Sequence, residues 1–134
     1  MLLSLSVLLL VAIPSVATAQ DSAEQLMDRI ELAVRDADVD GIISAAAGRI
    51  DVSIFGEGKN YSRAQAEFVL SEFFGSHNPT SFRFTATSKT TNGRFAEGLF
   101  YSAESRRPFR VYVRLQRRSG NWEVREFVVE QRRR

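Results

Sequence analysis

The apolar residues of this chain keep three different rhythms. Residues 2–13 are an almost unbroken apolar run, Pro14 interrupts it, and Ala17-Thr18-Ala19 closes the stretch with small side chains. A run of this length is too short for a helix that crosses a bilayer, which needs about 20 residues, and it matches a signal-peptide core followed by an Ala-x-Ala cleavage site. The expectation is a signal peptide over residues 1–19 and one domain over residues 20–134, exported to the periplasm or the cell exterior, with no transmembrane segment in the mature chain. No Lys or Arg stands between Met1 and Ala19, so the terminal amine is the only positive charge ahead of the core.

The second rhythm is helical. Leu26, Ile30, Ala33 and Val34 recur at i, i+4, i+7 and i+8, which predicts an amphipathic helix over residues 22–36. A second, short helix is expected over 39–47, where Ile42, Ile43 and three alanines precede Gly48. Ser62 followed by Gln65 forms a capping box ahead of Ala66, Val69, Leu70 and Phe73, so a third helix is expected up to Gly75.

The third rhythm has period 2. Ile50, Val52 and Ile54 alternate with Asp51, Ser53 and Phe55, and Gly56-Glu57-Gly58-Lys59 reads as the turn that ends this strand. Four more strands are expected over 81–89, 94–102, 108–118 and 121–130, joined by connections short enough for antiparallel hairpins. Helix, helix, strand, helix and a four-stranded meander describe an α+β domain: three N-terminal helices packed on one face of a strongly curved antiparallel sheet.

This order of elements resembles the nuclear transport factor 2-like superfamily, whose members bend a sheet around helices into a cone. Tyr61-Ser62-Arg63-Ala64-Gln65-Ala66-Glu67, Phe73-Phe74, Asn78-Pro79, Ser81-Phe82 and Phe109-Arg110-Val111-Tyr112 also resemble a family of short exported bacterial proteins known only as a domain of unknown function. The superfamily includes isomerases, dehydratases, hydrolases and non-catalytic binding modules, and no catalytic motif of theirs maps onto this chain residue by residue. The resemblance implies a fold and leaves activity open.

Composition narrows the choices. The absence of cysteine excludes disulfides, thiolate metal sites and a lipid-anchoring cysteine. Residues 1–80 hold 5 of the 18 Lys and Arg but 11 of the 16 Asp and Glu, so a net charge of +2 hides an acidic half and a basic half. Such a division fits an anionic envelope surface or self-association, as well as neutralisation within one fold.

A cone acts in proton transfer when a carboxylate or histidine is aimed into it. Glu97 shares a strand face with Phe95, Leu99 and Tyr101, and Glu126 shares one with Trp122, Val124 and Val128, so both are candidate catalytic carboxylates. Asp51, out of phase with its apolar neighbours, is a third. Tyr101 and His77, the single histidine, are candidate ligand-binding residues at a pocket rim. One histidine and no cysteine leave too few ligands for zinc, and no cofactor or metal is expected. Gly56-Glu57-Gly58-Lys59 lacks the spacer and the hydroxyl residue of a phosphate loop. The arginines at 117–118 and 132–134 suit a polyanion, but export argues against nucleic acid.

Arg110, Tyr112 and Arg114 lie on the polar frame of one long strand, where an exposed aromatic suits a two-fold sheet contact, and a homodimer is expected through them. The leading reading is therefore a non-catalytic exported module whose cone holds a small apolar ligand or is filled by Phe68, Phe73, Phe74, Phe82, Phe84, Phe95, Phe109 and Phe127. The alternative is a cofactor-independent proton-transfer enzyme of the isomerase or dehydratase type that uses Glu97 or Glu126.

Overall fold

A computed structural model describes residues 11–12 and 22–132 of the chain. The expected signal peptide, residues 11–12 apart, and the last two arginines of the tail lie outside the described residues. Helix α1 (Ala23–Arg35) begins where the Ser22 hydroxyl accepts the Gln25 N–H at 3.1 Å, and it buries Leu26, Met27, Ile30, Ala33 and Val34. Helix α2 (Val39–Ile43) is capped by the Asp38 carboxylate, which accepts the Gly41 N–H at 3.0 Å. It stops four residues short of the expected end. Ala46 and Ala47 leave the helix for β1 (Ala46–Ile54), both buried, and the Ala45 carbonyl accepts the Val124 N–H at 2.8 Å. Burial in the sheet here outweighs the intrinsic helix preference of alanine.

Strand β2 (Glu57–Ser62) occupies the stretch expected as a turn. The reversal is Phe55-Gly56 itself, with φ of 53° and 88°, the left-handed pair that a tight two-residue hairpin requires. A phenylalanine in that conformation gives no turn signal in the sequence. Helix α3 (Arg63–Ser76) follows, and its capping box is complete: the Ser62 hydroxyl accepts the Gln65 N–H at 3.3 Å and the Gln65 side chain accepts the Ser62 N–H at 3.2 Å. Ser62→Ala is expected to lower stability by about 1 kcal/mol, measured as a shift of the urea midpoint without a change in slope.

Strands β3 (Pro79–Lys89), β4 (Gly93–Ser102), β5 (Phe109–Arg118) and β6 (Asn121–Gln131) form the expected meander. Ser119 and Gly120, with φ of 50° and 81°, turn β5 into β6. The six strands lie in the order β2-β1-β6-β5-β4-β3. This corrects the expected fold class in two respects. The β1–β6 pair is parallel while the other pairs are antiparallel, so the sheet is mixed. It is also open, with β2 at one edge and β3 at the other, and does not curl into a cone. The long connection from β1 through α3 and the meander brings β6 back beside β1 running the same way, a long-range pairing invisible to local periodicity.

All three described helices pack on one side of the sheet: α1 lies against β3, α3 against β1 and β2, and α2 between the helices. Edge strand β3 is held by α1, where the Glu31 carboxylate accepts the Phe84 N–H at 2.9 Å beside an irregularity between Phe84 and Ala86. That carboxylate satisfies a backbone donor which would otherwise stay open to a further strand.

Candidate functional site

The sheet has one side without helices, and strand alternation decides what it presents. Strand β4 turns Ala96, Gly98, Phe100 and Ser102 inward and Phe95, Glu97, Leu99 and Tyr101 outward. Strand β5 buries Phe109, Val111, Val113 and Leu115 and sends Arg110, Tyr112, Arg114 and Gln116 outward. In β6 the buried residues are Val124, Phe127 and Val129, an odd interval that strict alternation forbids. A bulge explains it, since Arg114 pairs with Glu126 but Leu115 pairs with Val124, leaving Arg125 as the extra residue. Glu126 and Val128 therefore face outward and Val124 inward, a correction to the frame read from the sequence.

Tyr112 is the centre of this outer face, paired with Glu97 on one side and Val128 on the other. Its ring stacks on Phe95 at 6.2 Å, and burial pushes the phenol above its usual range, with Glu126 and Glu97 reinforcing and Arg114 opposing. Glu97 is 2.8 Å from Arg110, and Glu126 is 3.8 Å from Arg114. The two glutamates keep 43% and 30% of their side-chain surface exposed. Cross-strand pairs of this kind, the first diagonal and the second directly opposite, contribute a few tenths of a kcal/mol to about 1 kcal/mol. Asp51 accepts an N–H of the Asn60 amide at 2.7 Å, and Asn60 in turn is held by Arg49. Asp51 and Glu126 are register partners across the parallel pair and line one open hollow of about 450 Å³ with Lys59 and Asn60. The structure thus brings Asp51 and Glu126 together and keeps Glu97 apart from both. Tyr101, 45% exposed, stands outward at the end of β4.

The interior is occupied by rings. Phe100, fully buried, lies 5.5 Å from Phe73, 6.0 Å from Phe74 and 6.2 Å from Phe109 between ring centres. Phe55 joins them edge-on at 4.9 Å from Phe109. Of the phenylalanines expected inside, Phe73, Phe74, Phe82, Phe109 and Phe127 are buried, whereas Phe68 is 65% exposed on α3 and Phe95 lies on the outer face. Phe100, which strand alternation places on the same side as Ala96 and Gly98, was missing from that set. His77 closes one end of the cluster: its ring stacks on Phe73 at 4.9 Å, and Nδ1 is 3.2 Å from the Phe73 carbonyl. Beside it, Glu104 accepts hydrogen bonds from the Ser102 hydroxyl and, at 3.1 Å, from the Asn78 N–H. These bonds, the Ser102 one foremost, and the nearby His77 hold its carboxyl below the usual range. Among the described residues, no cluster of three His, Asp or Glu side chains is placed to hold a metal. No helix of the described residues is long and apolar enough to cross a membrane.

An open groove of about 930 Å³ lies between α1, α2 and the β5–β6 turn, over Leu26, Leu32 and Trp122. Trp122 lies under the Arg94 guanidinium at 4.6 Å, a cation–π contact on the helix side of the sheet.

Comparison with known proteins follows the fold. A family model described as "Domain of unknown function (DUF4783)" matches residues 27–130. No curated protein matches the sequence. The crystal structure of a DUF4783 family protein from Bacteroides uniformis superposes with a TM-score of 0.74 at 16% identity, covering 80% of this chain and 97% of that one. One from Bacteroides ovatus gives 0.73 at 14% identity over 79% and 94% of the two chains. A nuclear transport factor 2-like protein of unknown function from Pseudomonas putida gives 0.63 at 18% identity over 85% and 87%. The structural likeness is to the nuclear transport factor 2-like fold.

Proposed function

Because the chain belongs to the DUF4783 family, defined by a shared domain and not by a reaction, we propose its role from its geometry: a non-catalytic exported module that pairs with a second copy of itself through the helix-free sheet face. The observation that carries this reading is the patch around Tyr112. Phe95, Leu99 and Val128 surround it with half-buried apolar side chains, and Arg110–Glu97 and Arg114–Glu126 border it with both signs of charge. A two-fold axis sets a patch against its own copy, and a surface with apolar centre and mixed-charge border is complementary to itself. Five strands of nine to eleven residues, about 4.8 Å apart, offer about 800 Å² per partner, the area that stable interfaces use.

The carboxylates draw the reading away from proton transfer. Glu97 and Glu126 lie on the open face in ion pairs, and Asp51 is held by Asn60. A small apolar ligand finds an apolar floor in the groove over Leu26, Leu32 and Trp122 rather than among the packed phenylalanines. Export, to the periplasm or beyond, rests on the apolar run of residues 2–13.

Light scattering on the chain from residue 20 onward tests the reading. The unaltered protein is expected at the mass of a dimer at micromolar concentration. Tyr112→Asp, which sets a third carboxylate beside Glu97 and Glu126, is expected at monomer mass with its circular dichroism spectrum retained. A monomer before substitution overturns the proposal, and so does a Tyr112→Asp protein that stays dimeric.

A further inference from the structure

We propose that the end of the sheet where the β4–β5 loop, the last residues of β6 and the β1–β2 turn meet is a docking groove for an acidic peptide segment. Two hollows of about 650 and 430 Å³ meet at Gln131 and Arg132, which line both, and together they are the proposed trough. Its walls carry Arg106, Arg107, Arg110 and Arg132 against a single carboxylate, Glu130. Arg106, Arg107 and Arg132 are exposed, and among the described residues none of the three has an ion-pair partner, whereas Arg110 is engaged by Glu97. Guanidinium forks match carboxylates through two parallel hydrogen bonds, and several forks along one trough suit several carboxylates along one chain.

Shape and floor choose the kind of polyanion. The site is concave, so a flexible strand enters it and a flat bilayer does not. The floor is Phe55, Pro108 and Phe109. The Phe109 ring is buried and the partly buried Phe55 packs against it at 4.9 Å, so the floor offers apolar contact. Gly56 lines the trough with nothing within 4 Å of the position its Cβ would take, so a backbone can approach closely there. An extended peptide that alternates acidic and apolar side chains uses all three features. Arg110 and Glu130 also lie on the face proposed for self-association, so binding is measured on the unaltered protein and on monomeric Tyr112→Asp protein alike.

The test measures binding of poly-L-glutamate, heparin and phosphatidylglycerol vesicles to the chain from residue 20 onward at two salt concentrations. Poly-L-glutamate is expected to bind most tightly and to weaken as salt rises. The double substitution Arg107→Glu/Arg132→Glu is expected to raise its Kd by about tenfold or more, as loss of charge-assisted hydrogen bonds implies. Arg117→Glu/Arg118→Glu, with the same change of charge at the opposite end of the strands, is expected to leave it nearly unchanged. Monomeric Tyr112→Asp protein is expected to bind as the unaltered protein does, so this proposal stands or falls separately from self-association. Absence of poly-L-glutamate binding at low salt overturns it, as does an equal loss in both double variants. Tighter binding of heparin or vesicles than of poly-L-glutamate overturns the assignment to a peptide.

Discussion

Phe100→Ala is expected to destabilise the domain by about 4 kcal/mol, close to the whole margin of many domains this size. Phe100 is fully buried on the helix side of β4, and Phe73 and Phe74 from α3 and Phe109 from β5 all approach its ring. Phe82 of β3 is the fourth neighbour at 6.5 Å. These four side chains come from a helix and two other strands, so no local shift closes the gap that the truncation leaves. The measurement is the urea midpoint at constant slope. A second readout bears on function: in the unaltered protein the rings fill the space a ligand would need, whereas the variant holds an apolar cavity of the kind that takes up benzene. Benzene is expected to raise the melting temperature of Phe100→Ala and leave that of the unaltered protein unchanged. Stabilisation of both would show that the interior is already open to a ligand, and a loss below 1 kcal/mol would show that the rings are loosely packed.

Much of this framework is legible in the residues because it is local. The Ser22 and Ser62 hydroxyls cap α1 and α3 by accepting the backbone N–H three residues on, and the stripe Leu26, Ile30, Ala33 and Val34 is buried as its spacing implies. The outward frame of β5 follows from strict alternation between Phe109 and Gln116. What failed to show has long-range causes. Strand β2 exists because β1 folds back on it through a left-handed Phe55, which the glycines at 56 and 58 disguise as a later turn. The parallel β1–β6 pair needs a partner more than seventy residues away in sequence. The face of Glu126 was misread because a single extra residue, Arg125, shifts every position beyond it to the other side. The spacing of Val124 and Phe127 was the available signal, since two buried residues three apart in a strand require a bulge.

The charge division along the sequence also acquires a spatial meaning. Acidic residues of the first half gather on the exposed sides of α1 and α2, as with Glu24, Asp28, Asp36 and Asp40. Among the arginines of the second half, Arg110 and Arg114 lie on the opposite layer with Glu97 and Glu126, and Arg106 and Arg107 lie in a loop. The two halves therefore meet across the core in few places, of which the 3.5 Å approach of Arg94 to Glu24 is one.

Gly98→Ala is expected to cost about 3 kcal/mol, although it adds only one methyl group. Gly98 sits on the inward side of β4 opposite Phe84, where a Cβ would stand 2.2 Å from the Arg83 carbonyl oxygen and 2.9 Å from its carbon. Those atoms are backbone, so no rotamer change relieves the clash and β3 must move away from β4. The displacement would strain the bond between Glu31 and the Phe84 N–H and loosen the edge that α1 secures. Gly75→Ala supplies the contrast, because nothing lies within 4 Å of its Cβ position in α3. There the same added methyl is expected to stabilise by about 0.5 to 1 kcal/mol through helix propensity. Opposite signs in paired denaturation curves would place the requirement for glycine in the approach of β3 to β4 and not in backbone flexibility. If Gly98→Ala were neutral, β3 would have to be free to slide outward, and its edge could then not be held by the single carboxylate of Glu31.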